Sequence, residues 1–401
     1  MNLFNIDTNK KYLLAISGGP DSVFLLCNIV KIIDSKKLVV CHVNYNFRSD
    51  SINDQKIVIN LCKKFDLKLE ILNINKDYSL LKENFESWAR FQRYDFFNKI
   101  AKKYQIYNLF VAHNFNDLIE TYLLQLQRNN LVDYYGLKTV SHYKELVVYR
   151  PLLDIKKSEI LDYLKTNQIS YAIDSTNTDI KYQRNKIRSI IDESIFIDIK
   201  NQIDIDNKKL ETIKKIVNNY LEHNLTNKEL ILNKELFLLE SNIIKRIIYK
   251  YFKLINKEKL LINRSNKTIS EVAKRLVESN KSFWKINLND HSLIKDYKKL
   301  FVIKNSLLEA KTIIINNLDD LANQTSFKDI KEIEQIIVRE KKFSYVISND
   351  YELYKSITTI RNKKTNRYFI DRKISYKTRF LAPVVYNIKD KIILNKVKKH
   401  Y

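Results

Sequence analysis

A short polar stretch near the amino terminus has the residue types of an anion site. Ser17-Gly18-Gly19-Pro20-Asp21-Ser22 follows the apolar run Tyr12–Ile16 and precedes the apolar run Val23–Val30. A strand, a glycine turn and a helix in this order can cradle a phosphate. Glycine lets the backbone approach an anion closely, and the start of the helix offers unpaired N–H groups. The side chains of Ser17, Asp21 and Ser22 can bind phosphate or hold Mg²⁺.

Composition makes this stretch stand out. The chain has three glycines in 401 residues, two of them adjacent here, and one of its three prolines is Pro20. Ordinary glycine usage of ~7% would give roughly 28. The remainder of the chain is rich in Lys, Asn and Ile, so adjacent glycines indicate a backbone requirement at this position. An ordinary strand-to-helix turn without a ligand is the competing interpretation.

Apolar and amphipathic segments alternate through the first 150 residues. Strand-like runs cover residues 11–16, 38–44, 67–73 and 109–112, and helix-like patterns cover residues 21–33, 51–65 and 83–104. This alternation predicts right-handed βαβ units and a parallel sheet with helices on both faces, an α/β Rossmann-like domain. Ligands of such sheets bind at the carboxyl ends of the strands.

Two more polar motifs come at predicted strand ends. The first is His42-Val43-Asn44-Tyr45-Asn46-Phe47-Arg48-Ser49, and the second is Ala112–Thr121, which contains His113, Asp117 and Glu120. Asp117 and Glu120 share one helical turn, and a carboxylate pair beside a phosphate site can hold Mg²⁺ or position a nucleophile. A solvated helix face is the alternative for such a pair taken alone. Three motifs at one sheet edge favour a site.

A helix predicted over residues 83–104 carries two cations on one face. Arg90 and Arg93 are spaced i, i+3, and Glu86 lies four residues before Arg90. One interpretation is a surface ion pair between Glu86 and Arg90. The other is a pair of cations that face phosphates or a carboxylate substrate.

The bulk properties favour a polyanionic partner. The net charge is +25, with a pI near 9.6, which favours nucleic acid, although lysine-rich drift without a partner is the alternative. Cys27, Cys41 and Cys62 form no Cys-x-x-Cys pair, which argues against a disulfide framework and a cysteine-bound metal. No export signal or run of ~18 apolar residues is evident, so we expect a cytoplasmic protein without a membrane span.

Three domains are predicted: an α/β domain at 1–200, a mainly helical middle domain at 201–305, and a small basic α+β domain at 306–401. The last 41 residues hold 13 Lys or Arg against two Asp or Glu, and they include the β-branched run Lys391–Leu394. Cations alternating with rings are typical of single-stranded RNA binding, whereas a disordered basic tail is the alternative. The rings are Tyr368, Phe369, Tyr376 and Phe380, and the cations are Arg367, Arg372, Lys373, Lys377 and Arg379.

Taken together, these segments resemble the tRNA(Ile)-lysidine synthetase family of the ATP-pyrophosphatase P-loop superfamily over nearly the whole chain. Ser17–Ser22 matches the family's Ser-Gly-Gly-x-Asp-Ser loop, and Ala112–Thr121 resembles its His-His-x-Asp-Asp-x-x-Glu-Thr motif. The loop alone indicates the superfamily, and six segments in order indicate the family. The other four are His42–Arg48, Glu86–Tyr94, the exit segment with Arg150-Pro151-Leu152-Leu153 and Arg184-Asn185-x-x-Arg188, and Asp371–Arg379 with Pro383.

The resemblance implies an ATP-dependent ligase. Such enzymes adenylate the cytidine at the first anticodon position of tRNA(Ile) bearing CAU, and free L-lysine then attacks C2 to give lysidine, AMP and pyrophosphate. ATP and Mg²⁺ are the implied cofactors, and the tRNA and free lysine are the implied partners. The oligomeric state is left open, with a homodimer among the alternatives.

Residue roles are carried over by matching. ATP contacts are implied for Ser17, Gly18, Gly19, Pro20, Asp21, Ser22 and His42. Catalytic roles are implied for Asp21, Arg90, Arg93, His113, Asp117 and Glu120, and metal binding for Asp21 and Asp117. RNA contacts are implied for Arg184, Asn185, Arg188, Arg372, Lys373 and Arg379.

The sequence departs from the family pattern at several positions. Asn114 replaces the second His of the motif, Asn116 replaces its first Asp, and Tyr45 stands where a His is usual. Arg128-Asn129-Asn130 replaces a glycine after the Thr121 helix. The Asn substitutions remove titratable groups, which leaves open a tRNA-binding protein that has lost catalysis. A tRNA thiolase on the same fold is a separate alternative, but that chemistry generally uses cysteines, often paired as Cys-x-x-Cys, and the spacing of Cys27, Cys41 and Cys62 offers no such pair.

Overall fold

The computed structural model describes residues 6–46, 51–76, 78, 81, 84–129, 131–172, 187, 191–261, 265–328 and 330–397. The chain forms two compact units, residues 1–212 and 213–401. The predicted boundaries at residues 200 and 305 stay a prediction. Among the described residues, no helix combines the length and hydrophobicity that crossing a bilayer requires.

The first unit alternates strands and helices as predicted. Its strands are β1 (Tyr12–Ala15), β2 (Leu38–Asn44), β3 (Lys68–Asn73), β4 (Asn108–Val111), β5 (Val140–Tyr143) and β6 (Leu146–Tyr149). Its helices are α1 (Pro20–Ile29), α2 (Ser51–Lys64), α3 (Phe85–Tyr104), α4 (Phe115–Gln127) and α5 (Lys157–Thr166), and α6 (Phe196–Asn224) contains the boundary at residue 212.

The six strands form one sheet in the order β3-β2-β1-β4-β6-β5. All neighbouring pairs are parallel except β5 and β6, which form an antiparallel hairpin at one edge. The predicted parallel sheet is therefore confirmed, and the hairpin is an addition. The chain runs outward from β1 to β3 and then returns to place β4 on the other side of β1. This reversal opens a crevice at the carboxyl ends of β1 and β4, where ligands of such sheets bind.

Helices cover both faces of this sheet because successive strand residues point to opposite faces. Leu14 of β1 packs in a core with Phe24 of α1 and Ile160 of α5. Leu13 packs on the other face with Tyr94 and Phe97 of α3. Residues buried on both faces explain why the strands read as continuous apolar runs.

The second unit begins with a helical region and an antiparallel sheet. Its first helices are α7 (Ser241–Leu254) and α8 (Ser265–Glu278). The strands are β7 (Leu225–Thr226), β8 (Glu229–Ile231), β9 (Phe283–Leu288), β10 (His291–Asp296) and β11 (Lys299–Lys304), in the order β7-β8-β11-β10-β9.

The rest of the second unit is α+β. A three-stranded sheet has the order β12-β13-β16, made of β12 (Thr312–Ile315), β13 (Tyr345–Ser348) and β16 (Val384–Asn387), and β14 (Thr359–Ile360) pairs with β15 (Lys363–Lys364). The helices are α9 (Leu318–Asn323), α10 (Lys331–Glu340), α11 (Tyr351–Ile357), α12 (Thr365–Asp371) and α13 (Tyr376–Leu381). The run Lys391–Leu394 makes single bridges at Ile392 and Ile393 rather than a strand.

Candidate active site

Ser22 holds the loop between β1 and α1 in shape. Its Oγ accepts hydrogen bonds from the backbone N–H groups of Ser17 (3.2 Å) and Gly18 (3.1 Å) and donates one to the carbonyl of Gly19 (2.9 Å). The side chain is 4% exposed. Ser22 thus organises the backbone of the loop from beneath.

The two glycines of the loop meet different constraints. Gly18 has φ +96°, and a Cβ there would lie 2.8 Å from the carbonyl oxygen of Asp54 in α2. Gly19 caps α1 in an extended conformation, and a Cβ there would meet only the Ser17 Oγ at 3.6 Å. Pro20 then occupies the first turn of α1, where its missing N–H costs no hydrogen bond. Gly18 is therefore required by backbone geometry, whereas Gly19 leaves the approach to the loop open.

Asp21 is paired with a lysine that sequence reasoning missed. The Nζ of Lys157 lies 2.7 Å from both carboxylate oxygens of Asp21, and the Nδ2 of Asn114 donates to Oδ1 at 3.0 Å. Both charged side chains are about 30% exposed, at 31% and 28%. The position of Lys157 in the chain could have indicated this contact. Lys157 begins the helix that follows β6, and β6 is parallel to β4, so the two strands have their carboxyl ends on the same side of the sheet.

Asn114 and Asp117 form a capping box at the start of α4. The side chain of Asn114 accepts from the N–H of Asp117 (3.0 Å), and the carboxylate of Asp117 accepts from the N–H of Asn114 (3.1 Å). The departure at residue 114 thus places a buried amide that caps α4 and binds Asp21. Histidine is a poorer cap than asparagine.

Asn116 joins the starts of α4 and α5. Its Oδ1 accepts from the N–H of Lys157 (2.9 Å), and its Nδ2 donates to Glu193 (2.9 Å). Burial alone would raise the pKa of Glu193, but hydrogen bonds from Ser158 and Asn116 hold it below its usual value. An aspartate at position 116 could accept from Lys157 but could not donate to Glu193.

His113 is held by a buried arginine. The Nε of Arg150 donates to the Nδ1 of His113 at 3.1 Å. The Nη1 of Arg150 also donates to the carbonyl of Lys138 (2.9 Å) and to the Oγ of Ser141 (2.8 Å). Arg150 directly follows β6 and is 6% exposed. The sequence singled out Arg150 only as part of a matching segment.

Two adjoining cavities meet at the carboxyl edge of the sheet. The first, of about 210 Å³, is bounded by the loop and by apolar residues of β1, β2 and β4 such as Ala15, Val43 and Val111. The second, of about 610 Å³, is lined by the acidic residues Glu86, Asp117 and Glu120. Four residues line both cavities: Tyr45, Arg90, Arg93 and His113. The structure therefore brings together the loop, the arginines of α3 and the motif at α4.

The departure at Tyr45 is accommodated by an aromatic cluster. Its ring packs edge-on against Phe85 and near Trp88, and its hydroxyl donates to the carbonyl of Ala89 at 2.8 Å. Burial raises the pKa of Tyr45 to about 12, although the nearby Arg93 opposes this shift. Tyr45 is thus a neutral residue that ties β2 to α3.

His42 is not among the side chains that line the first cavity. It is 2% exposed, its Nδ1 bonds the carbonyl oxygen of Ile16 at 2.8 Å, and burial lowers its pKa. It points away from the face of β2 that carries Cys41 and Val43, which do line the cavity. The predicted direct contact of His42 with the nucleotide is therefore replaced by a supporting role beneath the loop.

The predicted RNA contacts have three outcomes. Arg184, Asn185 and Arg188 lie outside the described residues. Arg372 and Lys373 are exposed, at the end of α12. Arg379 is 1% exposed, and its guanidinium donates to the carbonyl of Ile374 and to the hydroxyls of Tyr351 and Tyr297. The prediction that Arg379 contacts RNA is therefore wrong, because it holds the core of the second unit.

The rings predicted to stack on bases are also largely internal. Phe369 is buried, Tyr376 stacks on Phe283 at 4.3 Å, and Phe380 packs near the same ring. Neither the hydrophobic periodicity nor the composition of this stretch distinguishes aromatic rings on the surface from aromatic rings in the core. The exposed cations remain as candidates for contacts with phosphates.

The fold and the loop define a class of nucleotide-using protein. A Ser-Gly-Gly loop between a parallel strand and a helix, at the reversal point of the sheet, is the arrangement of a PP-loop domain. The family model for the PP-loop domain matches residues 1–194. This is the ATP-utilising class that the sequence motifs predicted.

Full-length relatives then define the family. The chain is 78% identical to tRNA(Ile)-lysidine synthase of Mycoplasma mycoides subsp. mycoides SC, over 100% of both chains. It is 50% identical to the protein of the same name from Mesoplasma florum, over 99% of this chain and 100% of that one. The relative from Ureaplasma parvum is 44% identical over 47% of this chain and 57% of its own. The chain belongs to the tRNA(Ile)-lysidine synthase family.

Proposed function

We propose that this protein joins free L-lysine to C2 of the cytidine at the first anticodon position of tRNA(Ile) bearing CAU, with ATP as the energy source. The O2 oxygen of the cytosine bonds to the α-phosphorus of ATP, and pyrophosphate leaves. The ε-amine of lysine then bonds to C2, the C2–O2 bond breaks, and AMP leaves with that oxygen. The amine releases its surplus proton to a base. Adenylation is needed because the cytosine oxygen is by itself a poor leaving group.

The observation that carries this proposal is the pair of adjoining cavities. One lies at the loop, where a nucleotide would bind, and the other is lined by Asp117 and Glu120. Because His113 and Arg93 line both, a group activated in the first cavity is within reach of a nucleophile in the second. A two-step ligation requires this arrangement of two substrates around one reacting atom.

The carboxylates of Asp21, beside the loop, and Asp117, in the second cavity, are of the type that binds a phosphate-bound Mg²⁺. Magnesium usually takes one or two carboxylates together with substrate phosphates, and Asp21 and Asp117 supply these carboxylates at the starts of α1 and α4. When bound, Mg²⁺ would neutralise the charge that develops on the departing pyrophosphate.

The second cavity suits an amine nucleophile. Lysine enters as an ammonium and must lose a proton before it attacks. Glu120 would attract the ammonium and take up its proton, and because Glu120 is buried, its electrostatic effects are stronger than at the surface. Arg90 and Arg93 lie on α3 and would bind phosphate oxygens from the opposite wall.

The tRNA would be held by exposed cations of the second unit. Arg361, Lys363, Lys364, Arg367, Arg372 and Lys373 are all exposed around β15 and α12. Such a group binds the phosphate backbone without reading its sequence. A tRNA substrate also implies that the protein works in the cytoplasm.

The thiolase alternative is disfavoured by the cysteines. Cys27, Cys41 and Cys62 are all buried and unpaired. Burial raises the pKa of Cys62 to about 12 and also raises those of Cys27 and Cys41. Sulfur transfer uses thiolates, which need the opposite environment.

A direct test uses unmodified tRNA(Ile) bearing CAU, ATP, Mg²⁺ and radiolabelled lysine. We expect ATP-dependent label in the RNA, lost when the anticodon cytosine is changed. Asp21→Ala should abolish labelling while tRNA binding persists, and Asp162→Ala, which removes an exposed carboxylate of α5, should label normally. Bound tRNA without label would favour a binding protein, and label from a sulfur donor would favour a thiolase.

A further inference from the structure

The hydrogen bond between Arg150 and His113 determines which nitrogen of the imidazole carries the proton. A guanidinium has only N–H donors and stays protonated at any ordinary pH. Its Nε lies 3.1 Å from the Nδ1 of His113, so this nitrogen must be the acceptor. An imidazolium would direct an N–H at the N–H of Arg150. His113 is therefore neutral, with its proton on Nε2.

Arg150 cannot easily turn away from this contact. Its backbone N–H donates to the carbonyl of Thr139 at 2.8 Å, and its Nη1 is bound by Lys138 and Ser141. Burial lowers the pKa of Arg150, yet its ordinary value is so high that the charge remains. The guanidinium is thus a fixed donor placed behind the imidazole.

Charged residues from several elements line the cavities with His113, including Asp21 of α1 in the first cavity and Arg128, which follows α4, in the second. Arg90 and Arg93 of α3 line both cavities with it, and they oppose a second proton. Asp117 and Glu120 of α4 and Glu86 of α3 line the second cavity, and they would favour one. The direct hydrogen bond from Arg150 decides the balance, because an imidazolium could not accept it.

We propose that Arg150 is a positioning residue that makes His113 a hydrogen-bond donor rather than a general base. This inference rests on the proposed function, in which His113 lies where the two cavities meet. The Nε2–H group of His113 donates to the oxygen that links the cytosine to the α-phosphate, and it stabilises the charge on that oxygen as AMP leaves. The proton of the attacking amine goes to a carboxylate of the second cavity and not to His113.

The tautomer can be read without activity. In protein labelled with ¹⁵N-histidine, the ring signals of His113, assigned by their loss in His113→Gln, should show a bare Nδ1 and a protonated Nε2 from pH 6 to 8. Arg150→Met should mix the two tautomers and let the ring titrate. Arg90→Met removes a nearby charge and keeps the hydrogen bond, so the wild-type tautomer should persist. A protonated Nδ1 in the wild type, or an unchanged tautomer in Arg150→Met, would overturn the proposal.

Kinetics separate a donor from a base. The amide N–H of Gln reaches the position of Nε2, whereas that of Asn lies near Nδ1. His113→Gln should therefore retain at least roughly tenfold more kcat than His113→Asn, whose loss should be ~10²-fold or more. Equal inactivity of both variants would contradict the donor role. If the wild type makes no lysidine but shows the expected tautomer, the proposed function fails and the assignment of the proton stands.

Discussion

Asp21 and Lys157 form an ion pair beside the loop, at the position where Mg²⁺ and the phosphates of ATP are proposed to bind. A bound metal ion would compete with the ammonium for the same carboxylate. Lys157 would then be able to bind a phosphate oxygen only a few ångströms away. At the scale of single residues, Lys157 neutralises the carboxylate of Asp21, and we expect it to change partners when ATP binds.

Replacement of Lys157 tests this exchange. Lys157→Met should weaken ATP binding roughly 10–100-fold, since hydrogen bonds to charged groups contribute ~1.5–3 kcal/mol. AMP binding should change little, because AMP lacks the outer phosphates. Equilibrium binding of both nucleotides measures the difference. Lys156→Met is the matched control, because the charge of Lys156 acts on Asp192 and Glu193. Equal losses for ATP and AMP would mean that Lys157 only supports the loop.

At the scale of elements, the site depends on how closely the loop approaches α2. Gly18 combines a positive φ with a 2.8 Å approach to backbone, and Gly19 has neither constraint. Gly18→Ala should lower the free energy of unfolding by ~1–3 kcal/mol, because a Cβ must push the loop from α2 and adopt a strained conformation. Gly19→Ala should be close to wild type in thermal denaturation. Similar melting temperatures for both variants would contradict this account.

The contact between the starts of α4 and α5 depends on the amide of Asn116. Asn116→Asp replaces its donor to Glu193 by a second carboxylate, and two adjacent carboxylates resist joint ionisation. We expect a loss of ~1–2 kcal/mol at pH 7, seen as a fall of a few degrees in melting temperature. Glu193→Gln in the same chain should restore stability, because the Gln amide can donate to the carboxylate introduced at position 116.

The pH dependence of this variant has a definite sign. In the wild type the folded pKa of Glu193 is lowered, so its contribution is present above the unfolded pKa of ~4.3 and is lost as the pH falls through the folded value. In Asn116→Asp the repulsion requires two ionised carboxylates. The difference in melting temperature between the two proteins should therefore shrink as the pH falls from 7 toward 4. A constant difference would exclude charge repulsion as its cause.

At the scale of the whole molecule, the basic residues of the second unit have different roles. Arg379 stabilises the core of the second unit, whereas Arg372 and Lys373 are exposed. Deleting residues 361–401 would remove the exposed cations, but it would also remove Phe369 and β16, which belong to the hydrophobic core of the second unit. Substitution of exposed residues is therefore the way to separate RNA binding from folding.

The double variant Arg372→Gln and Lys373→Gln should weaken tRNA binding and make its salt dependence shallower. The slope of log K against log[salt] should fall by roughly 0.7–0.9 for each phosphate that the variant no longer binds. Filter binding from 50 to 300 mM salt measures it. The double variant Lys341→Gln and Lys342→Gln is the matched control. Each of the two pairs consists of adjacent, exposed basic residues, one of which has a positive φ. Equal slopes for both variants would remove the end of α12 from the RNA surface.

The sequence by itself determined the alternation of strands and helices, the parallel sheet, the loop and the family. These properties follow from local patterns, because apolar period and glycine placement act within a few residues. The segments that converge on the cavities could be located for the same reason, since parallel strands bring their carboxyl ends to one edge.

Only the tertiary structure decided which side chains meet. Lys157 lies 136 residues from Asp21 in the chain, and Arg150 lies 37 residues from His113. No local pattern records such pairs. The same holds for burial. Arg372 and Arg379 are basic residues seven positions apart, and only the packing of Arg379 against Tyr351 and Tyr297 distinguishes the buried residue from the exposed one. Periodicity specifies the face of an element, whereas the role of a polar side chain depends on what the rest of the fold places opposite it.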